Sequence, residues 1–495
     1  MVLSMWVQGL IVIGIYMAVV LMIGYWAWRK GVTSLHDFAI AEGSLGIFVL
    51  TLTVAATIQS AFVYMGYAGW LYSDGIGAML DTFSVLSSAV VFWYVGRRLW
   101  VLNRRFGYLS LAEFTSNFYQ NRYIGDIVLF LSVFFTLPYV GLQLAGAGYV
   151  FDVLTEGKIP FAIGALVLLL VIIVYTYLGG IRAVAWTDAF QGVFMFVMFM
   201  VGGWWIIKNA FGSIGEAFRQ GYLANPALFT LPGPSGSLTM PSYFSGWVVF
   251  ILGLVFAPHV IIRTLTGKSL DTLKWSSILA GVYMAVMVIL VPAYAFGAHA
   301  IFPDLAQPDR VFPMLLLKYT SILFASTVLA GALAAMMSTA DSQCHAVSTL
   351  LAVDFYRKYV KKDASEEELY RITKYSVLIV GVLSYIILLW QPPFLVKLLF
   401  MSYGGIALIG PVVIGALYWS RASSTGALTG LIVGLITTAL FQYFIPAPLG
   451  LRPGFIGVVA ESICFVVVSL LTKPVPEEVV RSHQKEINEI IGSRI

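Results

Sequence analysis

Ser338, Asp341, Ser342 and His345 recur at i, i+3, i+4 and i+7 in Gly331-Ala-Leu-Ala-Ala-Met-Met-Ser-Thr-Ala-Asp-Ser-Gln-Cys-His345, so a helix here carries all four on one face. The run is apolar before it turns polar, in a chain that is 60% hydrophobic. An ionisable side chain at the centre of a bilayer costs ~2.5–3.5 kcal/mol, which makes it a functional residue by default. Oxygen-rich faces suit hard cations.

A second polar stretch, Thr51-Leu-Thr-Val-Ala-Ala-Thr-Ile-Gln-Ser60, interrupts an otherwise apolar segment and predicts a broken helix. Irregular backbone at membrane depth survives only where it lines a cavity or is buried in protein. Carbonyls freed near Ala55 and Ile58, the Ala335 carbonyl and the Ser338 and Thr339 hydroxyls would make a five-oxygen cage with no formal charge. That suits a monovalent cation better than calcium, which recruits carboxylates. The competing use of those hydroxyls is bonding back to their own helix.

Asp188 is either a helix N-terminal residue favoured by the macrodipole or the partner of Ser338, Asp341 and Ser342 in a second cation or proton site. His345 reads as a supporting polar residue. For a solute, Gln59, Ser60 and Tyr64 follow the first break, Tyr139 and Gln143 sit on the fourth span, and Phe256 and His259 flank a second interruption marked by Gly253 and Pro258. Arg263, placed near the inner end of its helix, either snorkels or attracts an anionic solute.

The elements that position these residues are membrane helices. Only 11% of residues are charged, against about 25% in average soluble chains. The two cysteines and five histidines have no disulfide or zinc spacing, and no motif for hydrolysis, phosphoryl transfer or dinucleotide binding occurs. This points away from an enzyme, a nucleic-acid binder and a zinc site. Windows of ~20 apolar residues give thirteen runs: 5–28, 46–72, 76–96, 124–152, 160–179, 184–207, 242–264, 275–301, 312–355, 372–390, 393–418, 425–445 and 453–472. The first is followed, not preceded, by Arg29 and Lys30, the pattern of a retained span with its N-terminus outside. With alternating loops, 22 of the 29 Lys and Arg fall inside, together with the C-terminus.

Weakened helices opening two groups of five spans predict an inverted-repeat transporter. The expected organisation is 1–45, an extra N-terminal span and inner loop; 46–210, the first repeat; 211–241, an external loop; 242–420, the second repeat; and 421–495, two further spans and a cytoplasmic tail.

Gly179-Gly-Ile-Arg-Ala-Val-Ala-Trp-Thr-Asp-Ala-Phe-Gln191 and Ala334-Ala-Met-Met-Ser-Thr-Ala-Asp-Ser-Gln343 resemble the two strongest motifs of the sodium:solute symporter family. The resemblance covers essentially the whole chain and implies an all-α, LeuT-type five-plus-five fold in a prokaryotic plasma membrane. It implies Na+ as coupling ion with no cofactor, and small-solute import with the bilayer as the other partner; oligomeric state is left open. The principal sodium site would fall on Ala55, Ile58, Ala335, Ser338 and Thr339. A second, found in some branches, would fall on Asp188, Ser338, Asp341 and Ser342, with Asp341 replacing a serine. The runs Arg104–Phe114 and Leu137–Gly146 look like the monocarboxylate branch, whereas Ala257–Arg263 looks like the proline and pantothenate branches. All three imply a carboxylate-bearing solute. Thr57 stands where proline carriers have an aspartate. The alternative is a proton-coupled carrier of the same fold using Asp188 and Asp341.

Overall fold

A computed structural model describes residues 4–29, 35–390 and 394–492. Lys30, residue 393 at the start of the eleventh expected span, and Arg494, counted with the inner charges, lie outside the described residues. Helices make up the architecture: α1 (Met5–Arg29), α2 (Ile47–Ile58), α3 (Phe62–Met79), α4 (Leu80–Phe106), α5 (Arg122–Leu154) and α6 (Phe161–Phe211). They continue as α7 (Met240–Val255), α8 (Pro258–Thr266), α9 (Leu270–Ala300), α10 (Ile322–Val360), α11 (Glu366–Trp390), α12 (Leu395–Tyr418), α13 (Ser424–Tyr443), α14 (Pro453–Leu471) and α15 (Glu477–Ile491). Among the described residues ten helices are long and apolar enough to cross a membrane, or up to 12 with each bent pair taken as one span.

Both expected breaks are present. Helices α2 and α3 meet at 57°, and α7 and α8 at 50°. The second break falls at Phe256–Ala257, where Pro258 opens α8, and not at Gly253. Gly253 stays helical because its task is close packing: a Cβ there would collide with the Tyr403 side chain. The expected third span, 76–96, is also displaced. Helix α4 runs on past Arg97 and Arg98 to Phe106, and stops only where Gly107 takes a left-handed conformation (φ 76°).

Helix α6 joins two expected spans. Its 51 residues would measure about 77 Å if straight, far more than a ~30 Å hydrocarbon core. Gly180 divides it with φ 54° and ψ −152°, a conformation open to glycine, and any Cβ there would strike the Phe38 ring. The polar tail folds as α15, which turns Val480, His483 and Ile487 inward. His483 stacks on Phe106 at 4.6 Å, and its Nε2 lies 3.1 Å from the Tyr108 hydroxyl. Burial holds the His483 ring below its ordinary pKa.

The centre of the bundle is α10. Every residue from 328 to 350 is buried, as expected for a helix surrounded by others on all sides. Alanine and glycine at 330–335 let neighbours approach: a Cβ at Gly331 would lie 2.6 Å from Met198 on α6.

Candidate functional site

Three polar groups converge on α10 and the two breaks. The first surrounds the end of α2. There the Ala55 carbonyl accepts the Gln59 amide at 2.9 Å, and Gln59 itself turns extended (φ −74°, ψ 110°). Ser338 Oγ donates to the carbonyls of Ala56 (2.9 Å) and Ala335 (3.1 Å). Thr339 Oγ1 bonds those of Gln59 (3.0 Å) and Ala335 (3.1 Å). The hydroxyls of α10 therefore meet the break on the carbonyls one residue beyond Ala55 and Ile58. Across the gap, Gln143 Oε1 accepts from the Ala61 amide at 2.8 Å and so caps the start of α3. Ser60 Oγ accepts from the Phe62 amide at 3.2 Å.

The second group carries charge. Asp188 Oδ2 accepts from Thr53 (2.5 Å) and from Arg263 Nη2 (3.1 Å). The same Nη2 bonds Ser342 Oγ at 2.5 Å, and Ser342 lies 3.0 Å from Thr57 Oγ1 and 3.2 Å from Asp341 Oδ1. Tyr175 donates to Asp341 Oδ2 at 2.6 Å. Asp188, Asp341 and Ser342 thus come together, while Ser338 turns instead to the break. Arg263 does not snorkel. It is 1% exposed and bridges α8 to α6 and α10, because a guanidinium can fork between a carboxylate and a hydroxyl. Sequence reasoning missed this role, although an arginine beside Pro258-His259 at a break was the available signal. His345 Nε2 bonds the Phe38 carbonyl at 2.8 Å, a supporting contact.

The third group lies between α5, α8 and α12. The hydroxyls of Tyr139 and Tyr403 are 2.8 Å apart, and the His259 ring sits 5.5 Å from that of Tyr139. Neither nitrogen of the buried His259 has a hydrogen-bond partner among the described residues, nor does Gln59 Oε1. Buried polar atoms left so cost about 1–3 kcal/mol each, which a bound molecule or water can recover. Tyr403 went unnoticed in the sequence. Phe256 packs toward Gly410. Tyr64 faces elsewhere: its ring lies 4.2 Å from Phe199 and its hydroxyl bonds the Met195 carbonyl.

Beyond the spans, Asp309 lies between α3 and α12. Its Oδ2 accepts the Leu395 amide at 3.0 Å, and a Cβ on Gly69 would lie 2.7 Å from its Oδ1. Burial raises the Asp309 carboxyl to about 7. No group of three or more His, Cys, Asp or Glu able to hold a metal occurs among the described residues.

Two broken helices clasping a buried oxygen-lined helix define an ion-coupled membrane carrier of the LeuT type. The solved structures agree on the fold. A Na+-coupled sialic acid symporter, in a substrate-bound outward-open state, has a TM-score of 0.80 at 18% identity, over 95% of this chain and 99% of that one. Mhp1, a nucleobase-cation-symport-1 transporter, has a TM-score of 0.55 at 14% identity, over 91% and 98%. The profile of the Sodium:solute symporter family matches residues 38–434, and the chain belongs to that family. Its relatives include the sodium/pantothenate symporter of Escherichia coli K12, 28% identical over 95% of this chain and 98% of the relative. Sodium/proline symporter 2 of Staphylococcus saprophyticus is 30% identical over 88% and 86%. The protein is a multi-pass membrane transporter that couples solute import to Na+, not an enzyme.

Proposed function

We propose that one sodium ion binds at the end of α2, among the hydroxyls of Ser338 and Thr339 and the carbonyls of Ala335, Ala55 and Ile58. The reading rests on one observation: both α10 hydroxyls already engage carbonyls of the break. A small carboxylate-bearing solute (monocarboxylate, amino acid or pantothenate-like) binds alongside, between Gln59, Ser60, Gln143, Tyr139, Phe256 and His259. The unpartnered His259 nitrogens and the Tyr139–Tyr403 pair supply its donors. In this reading thirteen crossings, with α6 counted as two, run as an extra span, two inverted sets of five and a final pair, from an external N-terminus to a cytoplasmic C-terminus.

Gln59, Gln143, His259, Ser338 and Thr339 are at most 1% exposed, so the described conformation shuts both proposed sites off from solvent. Sodium and solute favour the same closed arrangement, and that shared preference couples them; couplings of this kind amount to about 1–3 kcal/mol. Release follows when the break opens and its carbonyls part from α10.

Asp188, Asp341 and Arg263 sum to one net negative charge when ionised. That group therefore has room for one further cation or one proton, which is the observation favouring a second reading with proton coupling. Uptake of radiolabelled lactate, pyruvate, acetate, propionate, proline and pantothenate into proteoliposomes, with and without a sodium gradient, tests the proposal. Sodium-dependent accumulation of one of these acids is expected. Accumulation that ignores sodium and follows a pH gradient would transfer the coupling to Asp188 and Asp341.

A further inference from the structure

A groove of about 780 Å³ opens on the outside of the bundle between α1, α2 and the second half of α6. Met22 and Trp26 of α1, Phe48 of α2, and Trp186, Val193 and Val197 of α6 form its walls, and the two indoles carry the only polar side-chain atoms in its lining. Phe48 and Met22 are 70% and 66% exposed. On a membrane-spanning surface that face meets acyl chains.

The two ends of the groove differ. Tyr16 stacks on Phe194 and Trp26 meets Trp186 edge to face at 5.6 Å, so α1 and this part of α6 run antiparallel. Arg29 follows Trp26 by one helical turn, and Arg182 precedes Trp186 by one. Both arginines therefore lie beyond the tryptophans at the same end. Indoles at the level of the headgroups with guanidiniums just outside them form a place for a phosphodiester. From Trp186 to Val197 the helix rises about 17 Å, close to the ~15 Å depth of one leaflet's hydrocarbon.

We propose that this groove binds one anionic phospholipid, its phosphate at Arg29 and Arg182 and an acyl chain along Trp186, Val193 and Val197. The chain then lies against Phe48, on the helix that ends at the break, so lipid and transport site share α2.

Native mass spectrometry of the full-length protein, equilibrated with equal amounts of phosphatidylglycerol and phosphatidylethanolamine of identical acyl chains, tests this. One retained lipid is expected, with phosphatidylglycerol favoured about fivefold for each arginine. Val193→Trp fills the groove and abolishes retention. Arg29→Gln leaves the groove's shape intact and lowers the preference about fivefold, which keeps the test decisive if the tryptophan variant misfolds. Equal retention of both lipids by the unaltered protein, unchanged retention in Val193→Trp, or a second copy of the chain in place of lipid would overturn the proposal.

Discussion

Two polar groups lie within a helical turn of each other on α10 and differ in kind. Around Ser338 and Thr339 the polar atoms are hydroxyls and carbonyls without formal charge. Around Ser342 and Asp341 there are two carboxylates and a buried guanidinium. A neutral oxygen set can take up a sodium ion and release it again, because its net charge is zero when empty. A charged network holds its own cation covalently and must keep it. On the proposed reading, the contrast gives reversible sodium traffic to the first group, while the second joins α6, α8 and α10.

Removing the tethered cation breaks the comparison most severely. Arg263→Ala leaves the carboxylates uncompensated inside the membrane, a change costing about 3–5 kcal/mol in comparable buried pairs. Low yield of folded protein, or a large fall in thermal unfolding temperature by differential scanning fluorimetry, is the expected result. A variant of native stability would mean that Arg263 only visits this place. Ser338→Ala combined with Thr339→Ala should do the opposite, leaving the fold intact while sodium-stimulated uptake falls to background. Full sodium dependence in that protein would remove the ion from the break.

A smaller effect is expected at Gln143. Its amide caps Ala61, so Gln143→Ala exposes the start of α3 at a cost of about 1–2 kcal/mol and should weaken solute and sodium affinity together, about tenfold, in uptake kinetics. Loss of solute affinity alone would make Gln143 a solute contact without a part in shaping the break. The smallest effect concerns pH. Asp309 has its carboxyl raised to about 7 while buried against Leu395. The ordinary value on exposure is about 3.9. The closed form therefore binds the proton more tightly. It is fully favoured below about pH 4, loses that advantage as pH rises to about 7, and is level above. Asp309→Asn should flatten that part of the profile of transport against pH, and an unchanged profile would remove Asp309 as its source.

Much of this was legible in residue order, for reasons that differ by element. The breaks announce themselves because polar residues and proline inside an apolar run interrupt a helix that lipid would otherwise keep whole, so Thr51–Ser60 and Pro258-His259 led to the right places. Helical spacing alone put Ser338, Asp341 and Ser342 on one face of α10, and the structure shows Asp341 and Ser342 in contact there. The place of Arg263 did not follow, since an arginine near a helix end can reach water by extending its stem, and only the three-dimensional approach of Asp188 and Ser342 shows that it does not. Tyr403 was invisible for a similar reason: one tyrosine among 26 gains its place from Gly253 on another helix. That the two hydroxyls bond the Ala56 and Gln59 carbonyls is set by backbone geometry, which side-chain types do not encode.

The contact between Gly253 and Tyr403 bears on how such a carrier can change what it carries. The glycine lies behind the wall, while the tyrosine hydroxyl reaches forward to Tyr139. A single added methyl at residue 253 must push the ring and shift that hydroxyl, although neither tyrosine of the pair has been replaced. With the solute at the proposed site, selectivity is thus open to adjustment from the reverse side of the pocket, a route that engineering confined to solute-facing positions would overlook.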